Sequence, residues 1–519
     1  MLAELSQYQN LNHFLNRAFE RHSQRPAFSC LGQTLTFGQI DQKASDLAAY
    51  FQSLGLQPGD RIAIQLPNLI QYPIAVYAAL RAGLIIVNTN PLYTPREMLH
   101  QFNDSGAKAI VILEDLVEKL EGILPQTGIE HIVVTRATDL LFADTSASPG
   151  LGVAFNQALA LGGAVPLTPA ESQLDDLAAL QYTGGTTGVS KGAQLTHRNL
   201  IANAIQTADV LGDCCREAKE VFVCPLPLYH IYAFLVSTVI FASRGNHSIL
   251  IPNPRDISGS IEALRPHRIT GFAGLNTLFV GLCSSPEFKQ LDFSQFRLTI
   301  SGGTALTSTA AELWQSITGC MVCEGYGLSE TSPVLALNQP GDQQIGSVGR
   351  AVENTDIQFW DDNDQPVADG QAGQLVAKGP QVMKGYWQMP EETAKALTAE
   401  GYFKTGDVGL RLPDGRIKII DRLKDMIIVS GFNVYPNEVE EVLVKHPTVL
   451  EAAVIGEADE RSGEKVIAYV TPRGEANEAT LIEFCRQQLT GYKVPKTVRI
   501  VEELPKSSVG KILRRELRK

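Results

Sequence analysis

The sequence predicts an α/β protein with a smaller α+β unit at its C-terminal end, and three observations carry that prediction. Strand and helix patterns alternate through the first part of the chain. RIAIQL (Arg61–Leu66) reads as a strand, residues 68–81 as a helix and LIIVN (Leu84–Asn88) as a strand, and the runs at Ala109–Leu113 and His131–Thr135 are short, apolar and bounded by polar residues. A βαβα order implies a parallel sheet covered by helices. From Gly341 to about Asp421 the texture changes: DDND at Asp361, ADGQAG at Ala368 and PDG at Pro413 crowd turn signals between short β-like runs, which predicts an antiparallel subdomain or barrel. The last stretch, Lys424–Lys519, holds 15 Lys+Arg against 15 Asp+Glu, so the −12 net charge of the chain lies in the rest, and the stretch looks separate.

The other elements follow in order. Leu11, Phe14, Leu15, Ala18 and Phe19 share one face of a helix within Gln9–Arg21. The N-terminal MLAELSQYQNLNHF lacks the basic and apolar regions of a signal peptide. Ala143–Asp175, rich in Ala, Gly, Pro, Ser and Thr, supports no assignment. Val221–Ser243 carries no charge and is long enough to span a membrane. It contains Pro225, Pro227, Tyr229 and His230, however, and the apolar run after them is short, which fits a buried core helix. In the C-terminal stretch Pro436 begins a helix that buries Val439, Val442 and Leu443. Two strands, a helix over Ala479–Leu489 and a further strand follow. No repeat of solenoid period is present.

Composition narrows the function. The 519 residues correspond to three or four structural units at roughly 150 residues each. With 44% apolar and 19% charged residues the chain is neither disordered nor short of core material. An excess of 56 Asp+Glu over 44 Lys+Arg argues against a general nucleic-acid binder, which needs cations to displace phosphate counterions. Eight cysteines are too sparse for a disulfide scaffold and predict a reducing, cytoplasmic setting. Cys320 and Cys323 have CxxC spacing but no second ligand pair, so packing is the simpler reading.

Four motifs carry chemistry. YTGGTTGVSKG (Tyr182–Gly192) follows the apolar run LAALQ. Its glycines let backbone N–H groups turn toward an anion, its hydroxyls add donors and Lys191 adds charge, although a flexible surface loop would read the same way. It is not a Walker A loop, because Ser190 stands before Lys191 where that motif has Gly. In EGYGLSETSP (Glu324–Pro333) an aromatic between glycines can lie against a base, and Glu330 can hold a divalent cation, against the plain alternative of a turn with a solvated Glu. In YFKTGDVG and the following GRIKIIDRLKDMIIVSGFNVYPNEVE, Asp407 can accept from ribose hydroxyls and Arg422 can pair with a ribose or phosphate, or DRLKD is a run of solvated charges. Last, LPKSSVGKILRREL places Lys511 after Gly510 in a tail whose final 14 residues carry six cations and one anion, a pattern usually only solvated.

Together and in this order these motifs resemble the adenylate-forming superfamily of acyl-CoA synthetases, amino-acid adenylation domains and firefly-type luciferases. PNLIQYPIAVYAALRAGLIIVNTNPLYTPREMLHQFNDSGA (Pro67–Ala107), PLPLYHIYAF (Pro225–Phe234), NPRDI (Asn253–Ile257) and LTGYKVPK (Leu489–Lys496) are similar to bacterial long-chain fatty-acid–CoA ligases. The resemblance runs over nearly the whole chain. It implies a large N-terminal domain (residues 1–421) of two parallel-sheet α/β subdomains and a β-barrel-like subdomain. A small mobile C-terminal domain (residues 422–519) would then turn about a hinge near Lys424.

The implied reaction joins a fatty carboxylate to ATP, giving acyl-AMP and pyrophosphate, and then passes the acyl group to the thiol of CoA. Approach of a carboxylate to a polyphosphate demands fixed cations and oriented donors. The resemblance assigns Thr183, Gly184, Gly185, Thr186, Thr187, Gly188 and Lys191 to the phosphates. It gives Mg²⁺ to Glu330 with Thr186, and the α-phosphate to Thr331. Adenine falls to Tyr326 and Gly327, and the neighbouring nucleotide and acyl pocket to Gly302 and Gly303. Asp407 takes the ribose, and Arg422 the ribose or phosphate. Lys511 bridges carboxylate and α-phosphate, so that Lys511, Glu330, Thr186 and Lys191 form the catalytic set. For the second step the small domain would rotate, withdrawing Lys511 and bringing Gly431 to the pantetheine tunnel, while His230 helps close the acyl pocket. The substrates implied are fatty acid, ATP and CoA. A homodimer and peripheral contact with the inner face of the membrane are expected from the resemblance alone. PLPLYHIYAF has no Asp to pair an amino-acid ammonium. A ligase loading acyl carrier protein, one for medium-chain or aryl acids, a luciferase-type oxygenase and a non-catalytic fatty-acid-binding protein remain the alternatives.

Overall fold

The computed structural model describes residues 2–141, 150–183, 190–507 and 510–518. Two mostly parallel sheets form the body. A seven-stranded sheet runs in the order Val153–Ala154, His131–Thr135, Ala107–Leu113, Arg61–Gln65, Ile85–Asn88, Leu177–Thr183 and Lys191–Thr196. All its neighbours are parallel except the last two strands, which pair as an antiparallel hairpin. Its central strands bury side chains on both faces, Ile62, Ala63 and Ile64 among them, which explains why they read as continuous apolar runs rather than alternating ones. The nine-stranded sheet has parallel strands at its centre (His247–Leu250, Val221–Cys224, Gly271–Gly274, Leu298–Ser301 and Val322–Gly327) and antiparallel strands at its edges. Both α/β units are therefore present.

Helix starts follow local chemistry. Thr36, Thr94 and Thr196 each cap a helix with a reciprocal side-chain bond from the third residue (Gln39, Glu97 and Asn199), so two orphan backbone donors are satisfied at each start. The uncharged stretch at Val221 resolves into the strand Val221–Cys224, a short turn of helix at Ile231–Ala233 and a π-helical run, Phe234–Phe241, whose eight residues are all buried. The buried-helix reading holds, and no helix among the described residues is long and apolar enough to cross a membrane. In the unassigned Ala143–Asp175 stretch, Phe155–Gly162 is a helix. Gly162 there lies so close to the backbone of Asp46 that a Cβ would clash, so close helix–helix contact fixes the segment rather than its own pattern.

The turn-rich region forms an open antiparallel sheet of four strands, Asp356–Trp360, Gly373–Lys378, Phe403–Arg411 and Ile417–Arg422. Ile417 in its last strand exchanges backbone hydrogen bonds with Val348 and Gly349, beside the edge strand Arg350–Ala351 of the nine-stranded sheet. Leu335 and Ala336, from the strand Val334–Leu337 next to the edge of the nine-stranded sheet, complete its core with Ile357, Phe359, Leu375 and Ile417. The C-terminal unit has its own core, including Ile427, Val439, Leu443, Val454, Val466, Leu481 and Val498, between five strands and the helices Pro436–Val444 and Glu478–Gln488. Beyond the expected strands it contains a tight hairpin, Ile427–Val429 with Phe432–Val434. All eight cysteines are free; Cys320 and Cys323 are buried against the strand that carries EGYG.

Candidate active site

The glycine-rich segment joins the strands Leu177–Thr183 and Lys191–Thr196, with Thr183 and Lys191 directly opposite each other in the ladder. Gly184, Gly185, Thr186, Thr187 and Gly188 lie outside the described residues. The two feet of the hairpin are clamped by the helix Pro95–Ser105: Tyr182 donates its hydroxyl to Asp104, and the His100 ring bonds the carbonyl of Ser190 at 3.0 Å. The Lys191 ammonium forms an ion pair with Glu392 and stands 5.1 Å from the centre of the Tyr386 ring. The Tyr386 hydroxyl donates to Glu330 at 2.9 Å. Neither Tyr386 nor Glu392 stood out in the sequence.

Glu330 sits on a short helical turn, Ser329–Thr331, and is buried. Burial raises its pKa above the ordinary carboxylate value, and Arg422 opposes that rise. Tyr386 is the side chain seen donating to it. A buried oxygen donor with so little solvation to lose suits a hard cation such as Mg²⁺. Among the described residues no group of three or more His, Cys, Asp or Glu forms a protein-only metal cage, and Thr186, the other expected ligand, lies outside the described residues. Thr331 is fully buried, and its hydroxyl is engaged inside the turn, with the N–H of Leu328 at 3.0 Å and the carbonyl of Pro333. In this state it supports the loop that carries Glu330. Gly327 is obligatory for the same loop, because a Cβ there would clash with the Pro333 carbonyl.

Tyr326, at the end of the strand Val322–Gly327, donates its hydroxyl to Asp407 at 2.6 Å. Asp407 lies opposite Arg422 in the antiparallel ladder, and the two form an ion pair at 3.1 Å. The EGYG and TGD motifs, about 80 residues apart, thus meet through one hydrogen bond. Gly302 and Gly303 follow the strand Leu298–Ser301. Gly302 faces Tyr232, and Gly303 adopts φ +88° in open space, a conformation that favours glycine. Buried Glu324, unremarked in the sequence, accepts from the N–H of Leu306 at 2.8 Å and so ties down the far end of this loop; burial pushes its pKa up to about 8.

The C-terminal tail reaches this cluster. The Lys511 ammonium is close enough to His230, Arg422, Asp407 and Lys424 for their charges to act on one another. Burial and the Arg422 charge pull its pKa down to about 8. His230 is pulled down to about 4 by burial and by Lys511, so it is neutral at neutral pH. Lys424, on the turn Leu423–Asp425 between the units, is also lowered to about 8, first by burial and then by Arg422. The tail is seated by Arg514, which pairs with Asp421 at 3.0 Å, Glu440 at 2.8 Å and Asp425 at 3.5 Å. Asp421 also accepts from the N–H of Asn437. The solvated-charge readings of DRLKD and of the basic tail are therefore overturned for Asp421, Asp425 and Arg514, whose opposite charges meet and are largely buried, while Leu423, Lys424 and Arg515 stay exposed. Gly431, by contrast, sits at the tip of the Ile427–Val434 hairpin at φ +83° with nothing within 4 Å of where a Cβ would be, apart from the cluster. Exposed Ile428 and Phe432 flank it.

Residues 15–387 match the AMP-binding enzyme family and residues 438–511 its C-terminal domain. The chain belongs to the AMP-binding enzyme family. Within it, the long-chain-fatty-acid–CoA ligase of Salmonella typhimurium is 44% identical over 98% of this chain and 94% of that protein. Among solved structures, the anthranilate CoA ligase AuaEII with anthranoyl-AMP superposes with a TM-score of 0.90 at 26% identity, over 98% of this chain and 96% of that one. MatB from Rhodopseudomonas palustris, 30% identical with 98% of each chain covered, superposes with a TM-score of 0.87 in its ATP-bound form and 0.78 in its apo form. This chain therefore superposes better on the ATP-bound than on the apo form of that relative.

Replacing Arg514 by Ala leaves Asp421 and Glu440 without their shared cation, and breaking buried pairs of this kind costs roughly 3–5 kcal/mol. Hydrogen exchange over residues 505–518 should accelerate markedly in that variant; unchanged protection would mean that the tail is held by something else.

Proposed function

We propose that the chain is an AMP-forming ligase that activates a long-chain fatty acid with ATP and transfers the acyl group to CoA. The observation that carries this reading is the position of Lys511. Its ammonium, on the tail that Arg514 seats against Asp421, Asp425 and Glu440, is within electrostatic reach of His230 and of the Asp407–Arg422 pair. A carboxylate and an α-phosphate meeting there would be bridged by one cation, and a cation held in a partly dehydrated cleft acts more strongly than in water.

In this reading Tyr326 lies against adenine with its hydroxyl held by Asp407, and Asp407 and Arg422 receive the ribose and phosphate. Lys191, with Thr183 and the loop residues Gly184–Gly188, faces the β- and γ-phosphates. Glu330, with Thr186, would hold Mg²⁺, which when bound neutralises phosphate oxygens. A carboxylate oxygen forms a bond to the α-phosphorus as the bond to pyrophosphate breaks; Lys511 offsets the repulsion. Neutral His230 and the loop after Gly302 and Gly303 border the acyl group. The thiol of CoA then adds to the acyl carbonyl, and AMP leaves. Because Lys511 fills the junction in this arrangement, the second step requires the unit beyond Lys424 to turn and bring the Gly431 hairpin inward. The likeness to the ATP-bound form supports assigning the present arrangement to the first step. Kinship to a long-chain-fatty-acid–CoA ligase supports the chain-length class and CoA as acceptor. A homodimer, a cytoplasmic location and peripheral membrane contact belong to the same reading and rest on resemblance and composition.

Pyrophosphate release measured across saturated C6–C18 acids and aryl acids, with CoA or acyl carrier protein as acceptor, tests the proposal. Release greatest for the longer acids, with acyl-CoA formed, supports it; preference for aryl acids or carrier protein would replace it.

Lys511→Ala should lower acyl-AMP formation by at least a hundredfold, in the range seen when one oriented charge donor is lost, and leave thioester formation from supplied acyl-AMP largely intact. Equal loss of both steps would remove the assignment. In the unaltered enzyme, kcat/KM for ATP in the first step should fall as pH rises through about 8, where free Lys511 loses its proton. Lys511→Arg, which stays charged, should lack that decline.

Gly431→Leu should block thioester formation while sparing acyl-AMP formation, since the position is open in the present arrangement. A matching fall in adenylation would argue against its place in the tunnel.

A further inference from the structure

The segment Met383–Trp387 forms a strap between two groups that face the polyphosphate in the reading above. It runs along the strand Lys191–Thr196 as an added edge: Lys384 donates to the carbonyl of Gln194 at 3.0 Å, Gln194 to that of Gly385 at 2.9 Å, and Trp387 to that of Gly192 at 2.8 Å. At its other end the N–H of Met383 donates to the carbonyl of Glu330 at 2.8 Å. The Trp387 indole N–H is anchored on the carbonyl of Asp104 at 3.0 Å, on the helix that clamps the hairpin feet. The backbone at Tyr386 is therefore fixed from three directions.

From that place Tyr386 serves two partners. Its hydroxyl donates to Glu330, and its ring face lies 5.1 Å from the Lys191 ammonium, within cation–π range. Six residues on, Glu392 on the helix Pro390–Ala396 pairs with the same ammonium and with Lys395 at 2.6 Å. Lys191 and Glu392 are each about a third exposed, at 31% and 33%, so solvent and a ligand can reach the pair. Such pairs are weak, and a polyphosphate carries several charges where Glu392 carries one.

We propose that Tyr386 and Glu392 are positioning residues for the polyphosphate end of the site: Tyr386 spaces Glu330 from Lys191, and Glu392 holds the Lys191 ammonium until phosphate takes its place. This rests on the ligase reading. It gives the strap a task beyond sheet pairing, since Lys191 is kept extended and close to its destination instead of folding onto Glu330, where the two would neutralise each other.

Calorimetric titration of the full-length chain with ATP, pyrophosphate and AMP tests the proposal. Glu392→Gln should bind ATP and pyrophosphate about two- to fivefold more tightly, the range open to an exposed pair, with AMP affinity unchanged because AMP lacks the β- and γ-phosphates. Unchanged or weaker ATP binding, or an equal change for AMP, overturns the role of Glu392. Should that variant fail to fold, Glu392→Asp, whose carboxylate reaches less far, should show a smaller tightening of the same selectivity, and its absence overturns the role equally. Tyr386→Phe keeps the ring and removes the hydroxyl. It should weaken ATP binding at least threefold with Mg²⁺ present and leave binding in EDTA unchanged; equal effects, or none, overturn the spacing role. A wild-type chain that binds no ATP would bring down the ligase reading and this inference together. ATP binding and acyl-CoA formation with an indifferent Glu392→Gln variant would remove the inference alone.

Discussion

Burial of like and unlike charge at one junction governs this molecule. Asp407, Arg422, Lys424 and Lys511 crowd beside Tyr326 and His230, and desolvation lowers both lysines to about 8. Left alone, such a concentration of cations would repel itself. It is tolerated because Asp407 sits among them and because Arg514 anchors the tail on a separate carboxylate set, Asp421, Asp425 and Glu440. The second set spends its attraction on structure, and among the described residues Lys511 makes no ion pair, which leaves its charge available to an incoming anion.

The same constraint explains the architecture around it. Rigid parallel sheets, capped and buried on both faces, hold the strand ends from which Tyr326, the loop after Gly302 and the glycine-rich hairpin emerge. The small antiparallel sheet places Asp407 and Arg422 opposite each other by register alone. The C-terminal unit has a hydrophobic core of its own, distinct from the main one. A reaction that first needs a cation at the junction and then needs that space for a thiol is served by placing the cation on such a unit. The open position of Gly431 in the present arrangement, and the greater likeness to an ATP-bound than to an apo relative, agree with the two faces of that unit being used in turn.

Residues outside the recognisable motifs hold the motifs in place. Asp104 and His100 secure the feet of the glycine-rich hairpin, Glu324 fixes the loop at Leu306, and Tyr386 joins Lys191 to Glu330. Each acts through a contact more than a dozen residues away in sequence, and none has a local composition that marks it. Thr331 shows the converse. It belongs to a motif, yet its hydroxyl is occupied within the turn it stabilises.

Periodicity and turn chemistry, which are local, were enough to read the alternation of strands and helices, the antiparallel region and the independent C-terminal unit. Motif order was enough to read the family and the identity of Glu330, Tyr326, Asp407, Arg422 and Lys511 as site candidates. Their convergence was implied by the resemblance and not by the residues themselves, because a hydrogen bond between Tyr326 and Asp407 or a salt bridge from Arg514 to Asp421 depends on how separate elements pack. The helix at Phe155–Gly162 escaped notice because tight contact with Asp46, not its own pattern, secures it. Above all, a run of charges looks solvated until tertiary structure shows whether opposite charges meet it; the pairing of Asp421 and Asp425 with Arg514 is a property of two distant segments together, and only the folded chain brings them into contact.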